Sequence, residues 1–318
     1  MLDLSKPLLE VQKTMKKIIK TEHDLLNEMV TYVVDTHGKM LRPRLLLLTF
    51  KLLKGRDIKK AIELAAIFEI IHNATLVHDD INDEASMRRG KPALHVKYNV
   101  GKAVVCGDYL YVRAVQKIIN YSREVLKIIA DTCVEIAEGE IMQSIYRQNP
   151  IINEHLYFDI IRKKTASTFG ACAQLGARLI TNNEKTLRKL YLFGVNLGLA
   201  FQLIDDILDI TGDPDKLGKP IMVDFKEGHY NSVILHTYRN ATDKEQKLIE
   251  SLFDKTDKTD MDIDMLKKLI LYYGSVEYVK KLAKRKSELA KKQLSGFKEN
   301  EYKRALLNLA DEVVSRES

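Results

Sequence analysis

The stretch GVNLGLAFQLIDDILDI, residues 194–210, decides the fold of this 318-residue chain. A helix built from it is apolar on nearly every side, which is typical of a helix buried in the middle of a bundle. Apolar residues recur at helical spacing along most of the remaining chain, and the alternation expected of strands is scarce. The prolines fall between these periodic segments or at the start of one, where a helix tolerates them. We therefore predict an all-α fold, with its clearest helices near residues 58–83, 101–119, 122–148, 154–181 and 183–211.

Composition limits the number of domains and the class of partner. Hydrophobic residues make up 45% of the chain, and no linker rich in glycine, serine or proline divides it, so residues 1–318 are predicted to form one domain. Lys and Arg number 51 against 44 Asp and Glu. A lysine-rich surface explains this excess as well as an anionic substrate or an anionic membrane surface does. Nucleic acid is the least favoured partner, because the basic residues are scattered and no binding motif accompanies them.

The cysteines and the apolar runs bear on where the protein is found. Cys106, Cys133 and Cys172 are odd in number and include no C-x-x-C pair, which argues against a disulfide framework or a structural zinc site. The N-terminal stretch lacks the uninterrupted apolar core of a secretory signal, and no 18-residue apolar run is present. We expect a soluble cytoplasmic protein, and a peripheral contact with a membrane stays open.

One short acidic pattern occurs twice. DDIND at Asp79–Asp83 reappears as DDILD at Asp205–Asp209, in each case at the C-terminal end of an apolar helix. The first and fifth positions lie one helical turn apart on the same face. Carboxylates are ligands that Mg²⁺ prefers, with phosphate oxygens and water in the remaining positions. A single copy is explained by a solvated helix end, but two copies at identical spacing favour Mg²⁺ ions held around a diphosphate.

Basic residues accompany the acidic pattern. In GKMLRPR, Lys39 and Arg42 are predicted to lie on one side of a first helical turn, with Gly38 allowing a close backbone approach. Each cation alone is explained by an ordinary surface position, but together with two Mg²⁺ sites they suggest two diphosphates in one cavity. The candidate cations are Lys39, Arg42, Arg88, Arg89, Lys164 and Lys219.

Two histidines allow more than one interpretation. His72 lies seven residues before Asp79, about two turns earlier on the same face, and is either a diphosphate ligand or a satisfied core histidine. His78 directly precedes Asp79, and a His-Asp doublet in a helical protein also fits the metal-dependent phosphohydrolases of the HD type. That alternative has no use for the second acidic motif or for the paired arginines.

Six motifs occur in the order of one known family: GKMLRP, the first aspartate motif with its RRG tail, GDYL, EGEIMQ, KTA and FQLIDDILD. From about residue 20 onward the chain resembles the trans-isoprenyl (polyprenyl) diphosphate synthase family, and its last third is most similar to octaprenyl-type bacterial members. The resemblance implies a large helical bundle around a deep central cavity, with the aspartate motifs facing each other at its mouth. It also implies a Mg²⁺-dependent prenyltransferase that condenses isopentenyl diphosphate onto an allylic prenyl diphosphate, and a homodimer.

The same resemblance implies a role for each motif residue. Isopentenyl diphosphate would be bound by Lys39, Arg42, His72 and Arg89. The allylic diphosphate would be attended by Arg88, Lys164, Thr165, Gln202 and Lys219. Direct Mg²⁺ ligands would be Asp79, Asp83 and Asp205, with Asp80, Asp206 and Asp209 in supporting or water-mediated positions. Lys164 and the aspartates would thus carry the catalysis. The sequence departs from the family at three positions. His37 stands where a second glycine is usual, Met40 where an arginine is common, and His229 where a lysine is common. The role of His229 therefore stays open.

Small residues before the first aspartate motif indicate the product. By resemblance, short-chain members block the cavity with an aromatic residue four or five positions before the first aspartate, where this chain has Thr75 and Ala74. Ile71 is only medium-sized, and Phe68 is the first bulky residue below it. We predict a long-chain product, about octaprenyl, for a quinone side chain, although small residues here also simply permit close helix packing. The alternatives are a farnesyl or geranylgeranyl diphosphate synthase, a phosphohydrolase and a non-catalytic partner subunit.

Overall fold

The computed structural model describes residues 3–36, 38–147, 153–213 and 221–316, and helices dominate these ranges, so the predicted all-α class is confirmed. The first helices are α1 (Ser5–Ile19), α2 (Asp24–Asp35), α3 (Leu41–Leu52), α4 (Ile58–Asn82), α5 (Leu94–Lys97), α6 (Val100–Ile118) and α7 (Arg123–Ile145). They are followed by α8 (Glu154–Ile161), a π-helix (Arg162–Ala166), α9 (Ser167–Arg178) and α10 (Glu184–Thr211). The last are α11 (Val223–Glu227), α12 (Ser232–Asn240), α13 (Asp243–Phe253), α14 (Asp260–Tyr272), α15 (Ser275–Gln293) and α16 (Glu301–Ser315).

The chain forms two compact units. The first consists of Met1–Asp131, Ala171–Tyr191 and Gly296–Leu307. The second consists of Thr132–Gly170, Leu192–Ser295 and Asn308–Ser318. Each unit has its own buried core and its own copy of the aspartate motif. The prediction of one domain over residues 1–318 stays a prediction.

In the first unit, α4 is the central helix. It packs against α1, α3 and α6, and its residues from Leu64 to Ile71 are all buried, including the carboxylate-bearing Glu69. Because apolar residues surround α4 on every side, neighbours must cover it on every side, and that burial stabilises the unit. Gly176 permits a close contact between α9 and α3, since a Cβ there would lie 2.2 Å from the carbonyl oxygen of Leu46.

In the second unit, the C-terminal part of α10 is the corresponding central element. The stretch that decided the fold prediction is buried along most of its length, as expected. Gly194 and Gly198 let α10 approach its neighbour closely, because a Cβ at either residue would lie within 2.7 Å of backbone atoms of Phe169 or Ala166. Both α4 and α10 are long and apolar enough to cross a membrane, but 67% of the relevant window is buried inside the protein in each case, as in core helices of a soluble fold.

The structure differs from the sequence prediction at the start of α3. The predicted helical turn containing Lys39 and Arg42 is wrong, because α3 begins at Leu41 and Met40 before it has a left-handed backbone, with φ 49°. The reason is Pro43, which has no N–H to offer the carbonyl group of Lys39 and whose ring would collide with that carbonyl in a continued helix. Lys39 therefore precedes the helix that carries Arg42.

Two further elements were not predicted. A hairpin with a two-residue loop pairs β1 (Met87–Arg88) with β2 (Lys91–Pro92). The loop residues Arg89 and Gly90 have φ values of 51° and 75°. Positive φ at both central residues is the geometry of a type I′ turn, for which the single glycine was the only signal. The helix expected over 154–181 is also divided, because the π-helix of residues 162–166 interrupts it.

Candidate active site

The first aspartate motif ends helix α4. Asp79 and Asp80 lie in the last turn, and Asp83 is the C-cap, whose N–H donates to the carbonyl of Asp79 at 2.9 Å. Asp79 and Asp83 are half-buried, whereas Asp80 is buried and accepts hydrogen bonds from the guanidinium of Arg88, with Nε at 2.7 Å. Burial raises the pKa of the Asp80 carboxyl, and the hydrogen bond from Arg88 acts in the opposite direction. The motif thus presents two half-exposed carboxylates beside one that is bonded internally.

Arg42 and His72 meet in the first unit, as their predicted shared role requires. Nη1 of Arg42 lies 3.1 Å from Nε2 of His72. Burial, together with the charges of three arginines, lowers the pKa of His72 well below its usual value, so the ring is neutral. A neutral ring that accepts from Arg42 at Nε2 carries its proton on Nδ1. His72 can therefore donate a hydrogen bond to a phosphate oxygen without adding positive charge.

A buried carboxylate lies one turn before His72. Glu69 is 3% exposed, and among the residues that the structure describes its Oε2 atom has no hydrogen-bond partner. Burial raises its pKa, and the nearby guanidinium groups of Arg42 and Arg89 lower it. Sequence reasoning missed Glu69, although a glutamate inside an apolar helix was a visible signal.

The remaining candidate cations of the first unit are Arg89 and Lys39. Arg89 donates from Nη1 to the carbonyl of Thr36 at 2.5 Å, and its guanidinium lies 3.2 Å from the place where a Cβ of Gly38 would be. A larger residue at Gly38 would press on this guanidinium and shift it slightly. Lys39 is exposed to solvent.

In the second unit, Asp205 is half-buried and already faces a cation. Its Oδ1 atom accepts a hydrogen bond from Nη2 of Arg316 at 3.1 Å. The same guanidinium donates to the carbonyl of Phe201 at 3.1 Å and lies 4.0 Å from the centre of that phenyl ring. Arg316 was not predicted, because it lies 111 residues from Asp205 and in no motif.

Asp206 is buried and hydrogen-bonded on several sides. It is 2% exposed and accepts bonds from the hydroxyl of Tyr157, the N–H and hydroxyl of Ser232 at 2.9 and 2.6 Å, and the side-chain amide of Gln202 at 3.1 Å. Burial raises the pKa of Asp206, and the charge of Asp224 raises it further. These bonds attach α10 to α8 and to the start of α12.

Asp209 is likewise buried, at 3% exposure, and bonds to backbone. Its carboxylate accepts from the N–H groups of Val223 and Asp224 at 2.9 and 3.3 Å, which places it at the first turn of α11. His229 follows that helix and donates its N–H to the carbonyl of Asp224 at 2.7 Å. The role predicted for Asp209 in metal binding stays a prediction.

Lys164 and Thr165 lie in the π-helix. The ammonium of Lys164 is 2.6 Å from Oε2 of Glu140 and 2.8 Å from Oε1 of Gln143, both on α7. The hydroxyl of Thr165 donates to Oε1 of Gln202 at 3.0 Å, so a chain of hydrogen bonds leads from Thr165 through Gln202 to Asp206. The structure thus brings together three residues predicted for the allylic substrate or the second motif.

The residues predicted to set product length lie along α4. Phe68, Ile71 and Ala74 are each 2% exposed, and Thr75 is half-buried with its hydroxyl bonded to the carbonyl of His72 at 2.9 Å. Their predicted effect on chain length stays a prediction. Lys219, also predicted for the allylic substrate, lies outside the described residues.

The anchoring of Asp206 generates a stability prediction. Ser232→Ala removes the hydroxyl that donates to the buried carboxylate at 2.6 Å, and the free energy of unfolding should fall by about 1–3 kcal/mol. Ser251→Ala is the matched control, because the hydroxyl of Ser251 is exposed and bonds only to a carbonyl of its own helix, and its effect should stay within about 0.5 kcal/mol. Denaturant unfolding followed by circular dichroism measures both, and equal losses would contradict the anchoring role.

Known proteins are similar over nearly the whole chain. The family model for polyprenyl synthetase matches residues 23–270. The chain is 34% identical to the geranylgeranyl diphosphate synthase of Saccharolobus solfataricus, over 86% of this chain and 85% of that protein. It is 31% identical to the octaprenyl diphosphate synthase of Escherichia coli, over 94% of this chain and 92% of that protein.

Solved structures agree with the sequence relatives. The crystal structure of a polyprenyl synthase from Caulobacter crescentus, complexed with calcium and isoprenyl diphosphate, matches with a TM-score of 0.94 at 31% identity, over 99% of this chain and 96% of that one. The family predicted from the motifs is confirmed, and the chain belongs to the polyprenyl synthetase family.

Proposed function

We propose that the chain is a Mg²⁺-dependent prenyl diphosphate synthase, which transfers an allylic prenyl group to isopentenyl diphosphate. One observation carries the proposal. Two aspartate motifs end two buried helices, and in each the first aspartate is half-exposed while the second is buried and hydrogen-bonded. The names of the relatives support the same reaction class, and calcium with isoprenyl diphosphate in the Caulobacter crescentus structure supports a divalent cation and this class of ligand.

The donor set fits Mg²⁺. Asp79, Asp83 and Asp205 offer hard carboxylate oxygens, which this cation prefers, and they are more exposed than Asp80 and Asp206. Asp205 is paired with the guanidinium of Arg316, which a Mg²⁺ ion at this carboxylate would have to displace. Bound Mg²⁺ would neutralise the charge that develops on the departing diphosphate.

The chain's own residues have distinct roles in this proposal. Arg42 and Arg89 bind the diphosphate of isopentenyl diphosphate with Lys39, and the neutral His72 donates a hydrogen bond to it. Lys164 binds the allylic diphosphate, and the motifs alone assign Arg88 and Lys219 to the same substrate. Thr165 and Gln202 present oxygen atoms towards the allylic group, where their negative dipole ends favour a carbocation.

The reaction then needs no enzyme nucleophile. The allylic C–O bond breaks and its electron pair leaves with the diphosphate. The double bond of isopentenyl diphosphate attacks the allylic carbon, and a proton passes from the resulting cation to an oxygen of the released diphosphate. A phosphohydrolase would release diphosphate without isopentenyl diphosphate, and a non-catalytic subunit would not release it at all, so one assay with and without isopentenyl diphosphate separates the three functions.

We also propose a long-chain product, about octaprenyl, made by a cytoplasmic homodimer. The small side chains of Ala74 and Thr75 support a long product, while relatives of this protein include both geranylgeranyl and octaprenyl diphosphate synthases.

An apolar stripe supports the dimer. Val105, Val112 and Ile119 follow one another at seven-residue spacing on and just after α6, with exposures of 60%, 53% and 66%. A second copy of the chain would cover this stripe, and sedimentation would reveal it.

Removal of either exposed motif carboxylate tests the metal site. Asp79→Ala and Asp205→Ala should each lower the turnover of farnesyl diphosphate with labelled isopentenyl diphosphate by at least about a hundredfold, because charge on the leaving diphosphate is no longer neutralised. Asp131→Ala is the control, since Asp131 is exposed and pairs with Lys127 on its own helix. Near-normal turnover of both motif variants, with Mg²⁺ varied, would refute the proposed metal sites.

A bulky residue near the first motif tests the product length. A helical turn rises about 5.4 Å, roughly one extended isoprene unit, so Ala74→Tyr should shorten the product to about the farnesyl-to-geranylgeranyl range while elongation continues. Thr75→Tyr, at the half-buried neighbouring position, should act in the same direction with less disturbance of packing. Chromatographic sizing of the product decides, and unchanged length in two folded variants would mean that these small residues serve helix packing alone.

A further inference from the structure

A pair of α7 side chains holds the ammonium of Lys164. We propose that Glu140 and Gln143 are positioning residues, which fix the Lys164 ammonium where it meets the allylic diphosphate. The inference rests on the proposed function, because it gives the EGEIMQ motif a task in that same site. Neither residue was assigned a role from the sequence.

Two side chains contact the ammonium. Nζ of Lys164 lies 2.6 Å from Oε2 of Glu140 and 2.8 Å from Oε1 of Gln143. Glu140 and Gln143 are three residues apart and therefore lie on one face of α7. Gln143 accepts a hydrogen bond from the ammonium, and the carboxylate of Glu140 attracts its charge as an ion pair, so the two side chains together hold the ammonium on this side of the π-helix.

The backbone brings α7 and the π-helix unusually close. A Cβ at Gly139 would lie 2.8 Å from the backbone nitrogen of Lys164 and 3.0 Å from Cβ of Lys163, so glycine is required at this contact. The π-helix adds a residue to the turn and so changes the direction of the side chains that follow, a feature that recurs at functional sites. Gly139 and the π-helix together place Lys164 against the face that carries Glu140 and Gln143.

Positioning matters because a lysine side chain is flexible. Fixing it when the substrate arrives costs conformational entropy, and holding it beforehand removes that cost from the binding step. The side chains of Lys164 and Glu140 are only 22% and 17% exposed, so water screens this pair less than it screens a surface pair.

The neighbouring ion pair provides a matched control. Lys163 and Glu138 join the same two helices, with Nζ 2.8 Å from Oε2, but the side chain of Glu138 is 53% exposed and faces solvent. Glu138→Gln and Glu140→Gln are the same chemical change two residues apart. They differ in which lysine loses its charged partner.

The experiment measures binding and turnover of the two substrates separately. Glu140→Gln and Gln143→Leu should each raise the Kd of farnesyl diphosphate, measured calorimetrically with Mg²⁺, by about tenfold. The KM for this substrate should rise by about the same factor. The KM for isopentenyl diphosphate should change less than about twofold. Glu138→Gln should leave all three values unchanged. The positioning role would be overturned if the Kd and KM values of both substrates rose by the same factor, or if neither substrate's values changed.

A double-variant comparison shows whether the effect passes through the lysine. In a Lys164→Ala background, Glu140→Gln should weaken farnesyl diphosphate binding no further, since the group it positions is gone. A second tenfold loss in that background would overturn the inference. Thermal unfolding confirms that each variant is folded. The proposed function is judged independently, because it depends on whether the wild-type protein elongates farnesyl diphosphate at all.

Discussion

A buried carboxylate must receive hydrogen bonds, and Asp206 receives them from three parts of the second unit. Tyr157 comes from α8, Gln202 from one turn earlier on α10, and Ser232 from the first turn of α12. Without these donors the cost of burying the carboxylate would oppose folding. The arrangement of α8, α10 and α12 therefore depends on one acidic side chain that hardly touches solvent, and so does the position of Asp205 beside it.

The first unit repeats this division between neighbouring aspartates. Asp80 is buried and bonded to Arg88, and Arg88 belongs to the hairpin that also carries Arg89. The structural aspartate thereby fixes the segment from which a proposed substrate-binding arginine extends. In both motifs a rigid, satisfied carboxylate stands next to a more exposed one, and this keeps the exposed group on a defined helical turn.

The order of apolar and charged residues in the sequence predicted the main helices and the aspartate motifs. It did not predict local departures of the backbone from regular helix. The apolar periodicity of α4 and α10 requires helices, and the spacing of the aspartates requires that they share a face, so both could be predicted. The π-helix around Lys164 lies against Gly139 of another helix, a contact that the sequence pattern does not reveal, and the positive φ of Arg89 belongs to a turn whose only signal was Gly90. Pro43 was visible in the sequence, but its effect on Lys39 required attention to the carbonyl four residues earlier. Arg316 was missed because its closeness to Asp205 in space cannot be seen from their separation along the chain, whereas Glu69 was visible as a glutamate inside an apolar helix and was overlooked.

The neutral state of His72 has a consequence for how the site responds to acidity. Its ring is buried beside Arg42, and the charges of Arg88 and Arg89 also act on it, so a proton added to the ring would be opposed by three positive charges. The pKa of the ring lies well below the usual value for histidine, so a modest acidification of the surroundings leaves the ring uncharged. A histidine at this position thus acts as a constant hydrogen-bonding group and not as a sensor. In the protein itself, the hydrogen-bonding state of His72 therefore does not follow ordinary fluctuations in proton concentration.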